Sequence, residues 1–116
     1  MQKLTNQDLT QFTGTENYYK STFGGLKWTD GIKYLAEKGS CYWFLDILEG
    51  YQHELKGICF QIWNLVVNED KTGLVTCKED TDSPILVSQK LEYTDFPLKE
   101  LNVYCIDGVV LLPSEY

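Results

Sequence analysis

The sequence predicts an α+β fold in which short N-terminal helices and one central helix pack on a mostly antiparallel sheet of four to six strands. Its 116 residues are near the usual size of one domain, so we expect a single globular domain over residues 1–116. Its composition, 43% hydrophobic and 14% aromatic, is too apolar for a disordered chain. Apolar residues recur at helical intervals in the first half and alternate as in strands in the second, which places the helices before most of the sheet.

The first helix is predicted close to the N-terminus. Thr5 and Asp8 have the spacing of a capping box, in which each side chain hydrogen-bonds the backbone of the other residue. Leu9 and Phe12 follow at helical spacing. Together these residues predict a helix from about Asn6 to Phe12.

Two short elements are expected before the main helix. The stretch NYYKSTFGGLKWT is rich in aromatic and β-branched residues around a Gly24–Gly25 break, and it predicts one or two short strands. The stretch TDGIKYLAEKG that overlaps its end has two interpretations. Asp30 caps a helix that Gly39 ends, or the Asp-Gly pair forms a hairpin turn. We favour the helix.

The main helix is predicted over Ser40–Leu55, with the Ser40 side chain as its N-cap and Gly57 closing it. At about 100° per residue its apolar side chains fall on one broad side, which makes it the central core helix. These apolar residues are Trp43, Phe44, Ile47, Leu48, Tyr51 and Leu55.

Strands fill the rest of the chain. The stretch ICFQIWNLVVN is apolar at alternate positions on both faces, which predicts a central strand covered from each side. Four further strands are predicted at LVTC, ILVSQKLEY, LNVYCI and VVLL. The turns between them are NEDKTG, KEDTDSP, TDFP and Asp107–Gly108, and the last suits a type I′ hairpin.

The net charge is −7, from 17 acidic residues against ten lysines and no arginine. Because arginine supplies the bidentate contacts that read guanine and clamp phosphate, this composition argues against direct nucleic-acid binding. An acidic surface suits a basic partner, including a protein that itself handles nucleic acid. No stretch approaches the length of an apolar membrane span and the N-terminus lacks the apolar region of a signal peptide, so we expect a cytoplasmic protein without membrane contact.

The single histidine lies in the main helix. Asp46, Glu49 and His53 are spaced i, i+3 and i+7, so they line up along one strip. A metal site would need further ligands from a second element, and the rest of the sequence contains only scattered acidic residues as candidates. We therefore interpret the strip as the solvated face of an amphipathic helix, and we expect no metal and no cofactor.

Catalytic signatures are missing from the sequence. It has no nucleophile elbow, phosphate-binding loop, dinucleotide fingerprint or zinc-protease motif, so we expect a protein that is not an enzyme. The four cysteines include no C-x-x-C pair, which argues against a zinc site. We expect these cysteines to be unpaired, reduced and buried as small apolar residues: Cys41, Cys59, Cys77 and Cys105.

Five short motifs run through the chain: QFTGTE, TDGIKYLAE, YWFLD, FQIWNL and LPSEY. With these motifs the sequence resembles a small uncharacterised domain family of bacteria and of their phages and plasmids. The resemblance implies one intact domain and a mobile-element setting, and it brings no catalytic residues. Within the motifs, Gly14 stands where the first helix must stop and Thr15 is a candidate cap, while LPSEY is expected to be tied down against the sheet.

The favoured function is a non-enzymatic acidic module that binds a basic or nucleic-acid-handling protein, for example a phage-borne inhibitor of a host defence complex such as CRISPR. Exposed side chains on loops and on the solvated helix face would carry this recognition. The candidate contacts are Asp46, Glu49, His53, Glu69, Asp70, Glu79, Asp80 and Asp82.

Two alternatives belong to other classes. The first is a small-molecule or metal-binding domain with a pocket lined by aromatic side chains. Its candidate residues are Tyr18, Tyr19, Trp28, Tyr42 and Trp63. The second is a structural domain that acts through self-association, for which the mark would be a large exposed apolar patch.

Overall fold

The computed structural model describes residues 4–21 and 25–116. The helices in these ranges are α1 (Asn6–Thr10), α2 (Asp30–Lys38) and α3 (Tyr42–Tyr51). The strands are β1 (Tyr18–Lys20), β2 (Lys27–Thr29), β3 (Phe60–Val67), β4 (Gly73–Lys78), β5 (Ile85–Leu91), β6 (Glu100–Ile106) and β7 (Val109–Leu111). A 3-10 helix at Pro113–Glu115, the C-terminal turn, follows β7.

The seven strands form one sheet in the order β1-β2-β7-β6-β3-β4-β5. Neighbouring strands are antiparallel except β2 and β7, which run parallel with Lys27 opposite Val109. The α+β class and the mostly antiparallel sheet are therefore confirmed. The predicted count of four to six strands is wrong, because the short strands join the same sheet: β2 pairs with β7, and β1 pairs with β2.

The core lies between the helices and one face of the sheet. Trp63 of β3 is fully buried there, and the centre of its ring lies 6.1 Å from that of Tyr51 in α3. The largest buried side chains of this cluster include Phe44, Ile32, Leu35, Leu45, Leu48, Leu65, Val75, Val103 and Val110. Burial of a Leu, Ile or Phe side chain contributes about 1.5–3 kcal/mol, so this layer is the main source of stability.

The central strand β3 is covered on one face only. Trp63 and Leu65 are buried under the helices, whereas Phe60, Ile62 and Asn64 on the other face are half-exposed. The prediction of a strand covered from both sides is therefore wrong. Phe60 and Ile62 made the second face look apolar in the sequence, but no second layer of helices covers them in the part of the chain that is described.

Helix α1 begins as predicted and ends early. The Thr5 backbone N–H donates to Asp8 Oδ2 at 3.0 Å, and the Asp8 N–H donates to Thr5 Oγ1 at 3.2 Å, which confirms the capping box. The helix ends at Thr10 rather than Phe12.

Helix α2 confirms the helical interpretation of Asp30–Gly39 over the hairpin. The N-cap is Thr29, not Asp30 as predicted, because Thr29 Oγ1 accepts a hydrogen bond from the Ile32 N–H at 3.3 Å. Asp30 is instead the first helical residue. Gly39 is the C-cap, as expected.

Helix α3 is central but shorter than predicted. Ser40 is not its N-cap, because Ser40 has a left-handed backbone (φ 51°) and the cap position falls to Cys41, which makes no side-chain cap bond. The helix ends at Tyr51, and turns lead on through Leu55 to Gly57 (φ 87°). Its buried side chains are Phe44, Leu45 and Leu48, while Trp43, Ile47 and Tyr51 are half-buried.

The β6–β7 turn confirms its prediction. Asp107 and Gly108 both have positive φ, 50° and 82°, as a type I′ turn requires. One or two short strands were predicted at residues 17–29, and the structure has two, β1 and β2, whereas Gly24 of the predicted glycine break lies outside the described residues. No helix within residues 4–21 and 25–116 is long and apolar enough to cross a membrane.

Candidate functional site

The face of the sheet opposite the helices, here the open face, is formed by every second strand residue. Strand pairing places Ile62 of β3 beside Tyr104 of β6 and Lys78 of β4, and it places Tyr104 beside Leu111 of β7. All four side chains are half-buried, in contrast to the fully buried residues between them in the chain. The open face is therefore a continuous surface across the sheet.

Three aromatic rings pack together on the open face. The ring centres of Phe60 and Tyr104 are 5.3 Å apart, and Tyr116 lies 5.7 Å from Phe60 and 5.6 Å from Tyr104. The planes are inclined at 47° to 89°, within the range that aromatic pairs prefer. Tyr116 remains 70% exposed and extends this cluster outward.

Aliphatic side chains continue the aromatic cluster. Ile106 lies opposite Phe60, Ile62 opposite Tyr104, and Val109 opposite Ile106. We call the resulting set the apolar patch. It comprises Phe60, Ile62, Tyr104, Ile106, Val109, Leu111 and Tyr116. A contiguous apolar surface of this kind on a sheet is a common mark of an interaction site.

A polar groove lies next to the apolar patch. The Asn64 Nδ2 group donates to Glu100 Oε2 and to Asn102 Oδ1, both at 2.8 Å. An open groove of about 270 Å³ is lined by these three side chains together with Ile62, Thr76, Lys78 and Thr81. The groove offers amide, hydroxyl, ammonium and carboxylate groups at the edge of the apolar surface.

Lysines flank the open face at both sides. Lys20 and Lys27 lie on β1 and β2, and Lys78 and Lys90 lie on β4 and β5. Among the described residues the ion pair within 4 Å is Lys33–Glu37 at 3.9 Å, which is on α2. The four lysines of the open face therefore have no carboxylate partner within that distance in the described part of the chain.

The C-terminal turn holds Tyr116 in place. The Glu115 carboxylate accepts hydrogen bonds from Thr29 Oγ1 at 2.6 Å, from the Gly31 N–H at 3.2 Å and from the Leu112 N–H at 2.9 Å. The LPSEY segment is therefore tied down against the sheet and α2, as predicted. This attachment places the last aromatic ring on the apolar patch.

Thr15 joins the same region. Its Oγ1 accepts a hydrogen bond from the Asp30 N–H at 2.9 Å, so the predicted cap acts on α2 and not on the first helix. Together with Thr29 and Glu115, it satisfies the first three N–H groups of α2. The motifs QFTGTE, TDGIKYLAE and LPSEY thus meet at one helix end, where they stabilise the fold.

The Asp30 carboxylate fixes the segment before β1. Oδ2 accepts hydrogen bonds from the Glu16 N–H at 3.0 Å and the Asn17 N–H at 3.3 Å, and Oδ1 accepts one from Tyr19 Oη at 2.9 Å. These hydrogen bonds, the Glu16 bond first, lower the pKa of Asp30 below its usual range. The hydrogen bond from the Tyr19 hydroxyl to Asp30 also raises the pKa of Tyr19.

The three residues predicted to form one solvated strip on the main helix do not share one solvated face. Asp46 is exposed, but Glu49 is half-buried and its Oε2 accepts hydrogen bonds from Ser21 Oγ and from the Gly25 N–H. Glu49 Oε1 is buried and has no hydrogen-bond partner among the described residues. His53 is exposed in the turn after α3, beyond the end of the helix. The three side chains therefore have different environments.

The predicted acidic turns are also separated. Glu69 and Asp70 precede β4, and Glu79, Asp80 and Asp82 follow it, so the two turns lie at opposite ends of that strand. Asp70 accepts hydrogen bonds from the Thr72 hydroxyl at 2.6 Å and from the Thr72 N–H at 3.0 Å, and these bonds lower the pKa of Asp70. The acidic candidates do not meet in a single surface.

The aromatic candidates are dispersed as well. Trp28 and Tyr42 are in contact with ring centres 6.2 Å apart, and Tyr19 lies under the Lys33 ammonium at 4.4 Å. Tyr18 is 60% exposed at the edge of the open face, while Trp63 is in the core with its Nε1 bonded to Gln61 Oε1. None of the five lines the open groove of about 420 Å³ beside β4 and β5.

The four thiols are not bonded to one another. Cys41, Cys77 and Cys105 are buried as predicted, but Cys59 is exposed, because it precedes β3 instead of lying within it. Burial raises the pKa of Cys41 and Cys77 to about 12 and that of Cys105 to about 11. Within residues 4–21 and 25–116, no three His, Cys, Asp or Glu side chains are grouped to hold a metal ion.

The open face was missed at the sequence level, although two signals mark it. Asn64 interrupts the apolar alternation of β3, which a strand covered from both sides would rarely tolerate. In β6, Glu100 and Asn102 alternate with Leu101 and Val103, a pattern typical of a strand with one solvated face. Both signals indicate a sheet with one uncovered face.

Comparison with protein families gives a match over nearly the whole chain. The family model described as a family of unknown function (DUF6876) matches residues 3–116. This match confirms the expected relationship to an uncharacterised domain family. No curated protein and no solved structure matches the chain.

Proposed function

The chain belongs to the family of unknown function DUF6876, and we propose that it is a non-enzymatic protein-binding module that docks its partner on the open face of its sheet. The observation that carries this proposal is the apolar patch, a contiguous group of aromatic and aliphatic side chains on three adjacent strands, β3, β6 and β7. Surface patches of this kind, bordered by polar residues, are characteristic of protein interfaces.

The architecture around the patch favours binding. Most of its side chains project from a hydrogen-bonded sheet whose other face is packed in the core, so their positions are fixed before a partner arrives. A preorganised surface loses little conformational entropy on association. Phe60 and Tyr104 are the expected anchors, because aromatic residues near the centre of an interface contribute most of the binding energy.

The polar groove completes the interface. Asn64, Glu100 and Asn102 form a hydrogen-bonded network at the border of the patch, and the groove keeps an open side toward solvent. A polar border around an apolar centre is the usual anatomy of a protein–protein contact. It also supplies hydrogen bonds that orient the partner.

The basic partner expected from the net charge stays a prediction. Its candidate contacts on α3 and on the two acidic turns are spread over separate parts of the surface, so they do not form one acidic patch. Inhibition of a host defence complex, which is one use of a protein-binding module, also stays a prediction. The small-molecule and self-association alternatives also stay predictions, and the experiment below separates them from this proposal.

The test uses photo-crosslinking from two tyrosine positions of matched exposure. Tyr116 is 70% exposed on the apolar patch, and Tyr93 is 71% exposed in the segment between β5 and β6. A photoreactive phenylalanine analogue replaces each tyrosine in turn in the native host. We expect a discrete protein adduct from position 116 and none from position 93. Equal adducts from both positions, adducts only from position 93, an adduct only with a second copy of the chain, or no protein adduct at all would contradict the proposal.

A further inference from the structure

We infer that the outer edge of β5 is a second binding site, which takes a short extended segment of another protein as an additional strand of the sheet. This edge is separate from the open face, so the inference goes beyond the proposed function and does not rest on it. Two observations carry it: the direction of the β5 backbone groups and the exposure of two aliphatic side chains beside them.

The strand β5 ends the sheet on one side. In the described part of the chain β4 is its only neighbour, and its seven residues span Ile85–Leu91. The strand at the opposite side, β1, has three residues, Tyr18–Lys20. An edge strand presents unpaired backbone N–H and C=O groups that another extended chain can bond. The β5 edge is the longer of the two.

The β3–β4 turn shows which residues of β4 bond to which neighbour. In an antiparallel pair, residues that bond the facing strand alternate with residues whose N–H and C=O groups point the other way. The Asn68 N–H donates to the Thr72 carbonyl at 2.8 Å, so Thr72 and every second residue after it bond to β3. Val75 and Cys77 therefore direct their backbone groups toward β5.

The same alternation fixes the direction of the β5 backbone. Gln89 faces Val75, so Gln89 bonds to β4, and so does Val87 two positions earlier. Ser88 and Lys90 alternate with them, and their N–H and C=O groups therefore point away from the sheet. Both residues are exposed. The edge thus offers two regularly spaced donor and acceptor pairs, which only an extended backbone matches.

Exposed aliphatic side chains accompany this edge. Among the described residues, the large aliphatic side chains that are exposed are Ile85 at 54% and Leu86 at 42%, and the other large exposed hydrophobic residues are tyrosines. Both aliphatic residues lie on β5. Side chains of an added strand would cover them while its backbone bonds Ser88 and Lys90.

The edge also has features that limit its pairing. The register with β4 shifts between Cys77 and Lys78, Pro84 precedes the strand and Lys90 lies within it. Irregular register, proline and lysine are common devices against uncontrolled pairing of edge strands. They leave residues 87–91 as the regular part of the edge, so the occupant is a short segment.

A second copy of the chain fits this edge less well than another protein. Residues 78–95 contain β5 with its flanking segments, and their acidic residues outnumber their lysines: Glu79, Asp80, Asp82, Glu92 and Asp95 against Lys78 and Lys90. The neighbouring β3–β4 turn adds Glu69, Asp70 and Lys71. Two copies paired along β5 would bring these negative segments together, and each chain carries −7 in total.

Tyr93 lies beyond the end of this edge. After β5 the Thr94 N–H donates to the Lys71 carbonyl at 2.8 Å, so the chain turns back toward the β3–β4 turn. Tyr93 lines an open groove of about 250 Å³ together with Trp43 of α3. Position 93 therefore stays a control for the open face, and the two proposals fail separately.

Two peptides with the same side chains test the inference. Both alternate valine and threonine between terminal lysines. The first is N-methylated at every second residue, so that one edge alone can pair, and the second is N-methylated throughout the alternating segment. Amide hydrogen exchange of the full chain is followed by NMR. We expect the one-edge peptide to slow exchange at Ser88 and Lys90 at least about tenfold, and the fully methylated peptide to leave it within about twofold.

Matched proline variants locate the site. S88P removes an outward N–H and no bond to β4, so it should keep the fold and weaken the one-edge peptide at least about fivefold. The control K20P removes an outward N–H from β1, where the Ser21 N–H and not that of Lys20 bonds toward β2, and should leave the affinity within about twofold.

A side-chain variant keeps the test decisive if a proline variant unfolds. I85T/L86T retains every backbone group and should also weaken the one-edge peptide, because the aliphatic contact is lost. Unchanged exchange at Ser88 and Lys90, equal effects of both peptides, or protection confined to β1 would overturn the inference. Slower exchange at Ser88 and Lys90 as the concentration of the chain alone rises would identify a second copy as the occupant and would overturn it too.

Discussion

Glu115 and Thr29 join the end of the chain to the start of α2: the Thr29 hydroxyl donates a hydrogen bond of 2.6 Å to a carboxylate 86 positions away in sequence. The same carboxylate accepts the Gly31 N–H at 3.2 Å, so it supplements Thr29 as a cap of the helix. Since Tyr116 follows directly, this contact also sets where the last ring lies on the apolar patch.

Replacing Glu115 should therefore destabilise the fold. In E115A the Thr29 hydroxyl and two backbone N–H groups lose their acceptor, which we expect to lower the free energy of unfolding by about 1–2 kcal/mol. Urea unfolding measures the change. The control E92A removes an exposed glutamate and should stay within about 0.5 kcal/mol of the wild type. Equal stability of E115A and E92A would contradict the assigned role.

Two glycines on helices should respond to alanine with opposite signs. A Cβ at Gly31 would lie 2.6 Å from Glu115 Oε1 and 2.7 Å from Leu112 Cδ1, so G31A should be destabilising. A Cβ at Gly50 of α3 meets nothing within 4 Å, so G50A should stabilise by about 0.5–1 kcal/mol. Thermal unfolding of the two variants checks the pair, and a stabilising G31A would show that the C-terminal turn is not packed on α2.

Asp30 should make stability depend on acid pH. Its hydrogen bonds lower its pKa in the folded state below the ordinary value of 3.8. A lowered folded pKa contributes stability that is fully present above the unfolded pKa and is lost as the pH falls through the folded pKa. The difference in unfolding free energy between the wild type and D30N should therefore be largest near neutral pH and shrink below pH 3.8. A difference that is the same at pH 3 and pH 7 would refute this account.

One thiol should react in the native protein. Cys59 is exposed, whereas the other three cysteines are buried and have raised pKa values. A thiol-specific reagent should therefore modify one cysteine rapidly, and C59S should remove that fast phase. The remaining thiols should react after unfolding. Two or more fast thiols in the native wild type would indicate a looser core than the structure has.

The features that the sequence predicted correctly are those set by residues close together in the chain. The capping box at Thr5 and Asp8 and the type I′ turn at Asp107 depend on residues a few positions apart, and both are confirmed. The prediction of Ser40 as an N-cap was wrong because Ser40 has a left-handed backbone, which depends on how the turn between α2 and α3 packs. Such a backbone angle is not encoded in helical periodicity.

The candidate site was missed for a related reason. Phe60 and Ile62 have the composition of core residues, and only the topology, with the helices on one side of the sheet, leaves them at the surface. Glu49 was taken for a solvated residue because the helical wheel does not show Ser21 and Gly25, which come from another part of the chain to bond it.

The most direct test of the central claim measures how tightly the protein captured at Tyr116 binds two tyrosine variants. Y104A removes a ring from the apolar patch, and Y42A removes a ring that packs on Trp28 on the helical side. Amide NMR spectra first establish that both variants keep the fold. If the open face is the binding surface, Y104A should raise the Kd at least about tenfold, since a central aromatic anchor is lost, and Y42A should leave it unchanged. An unchanged Kd for Y104A together with a raised Kd for Y42A would contradict the account and place binding on the helical side.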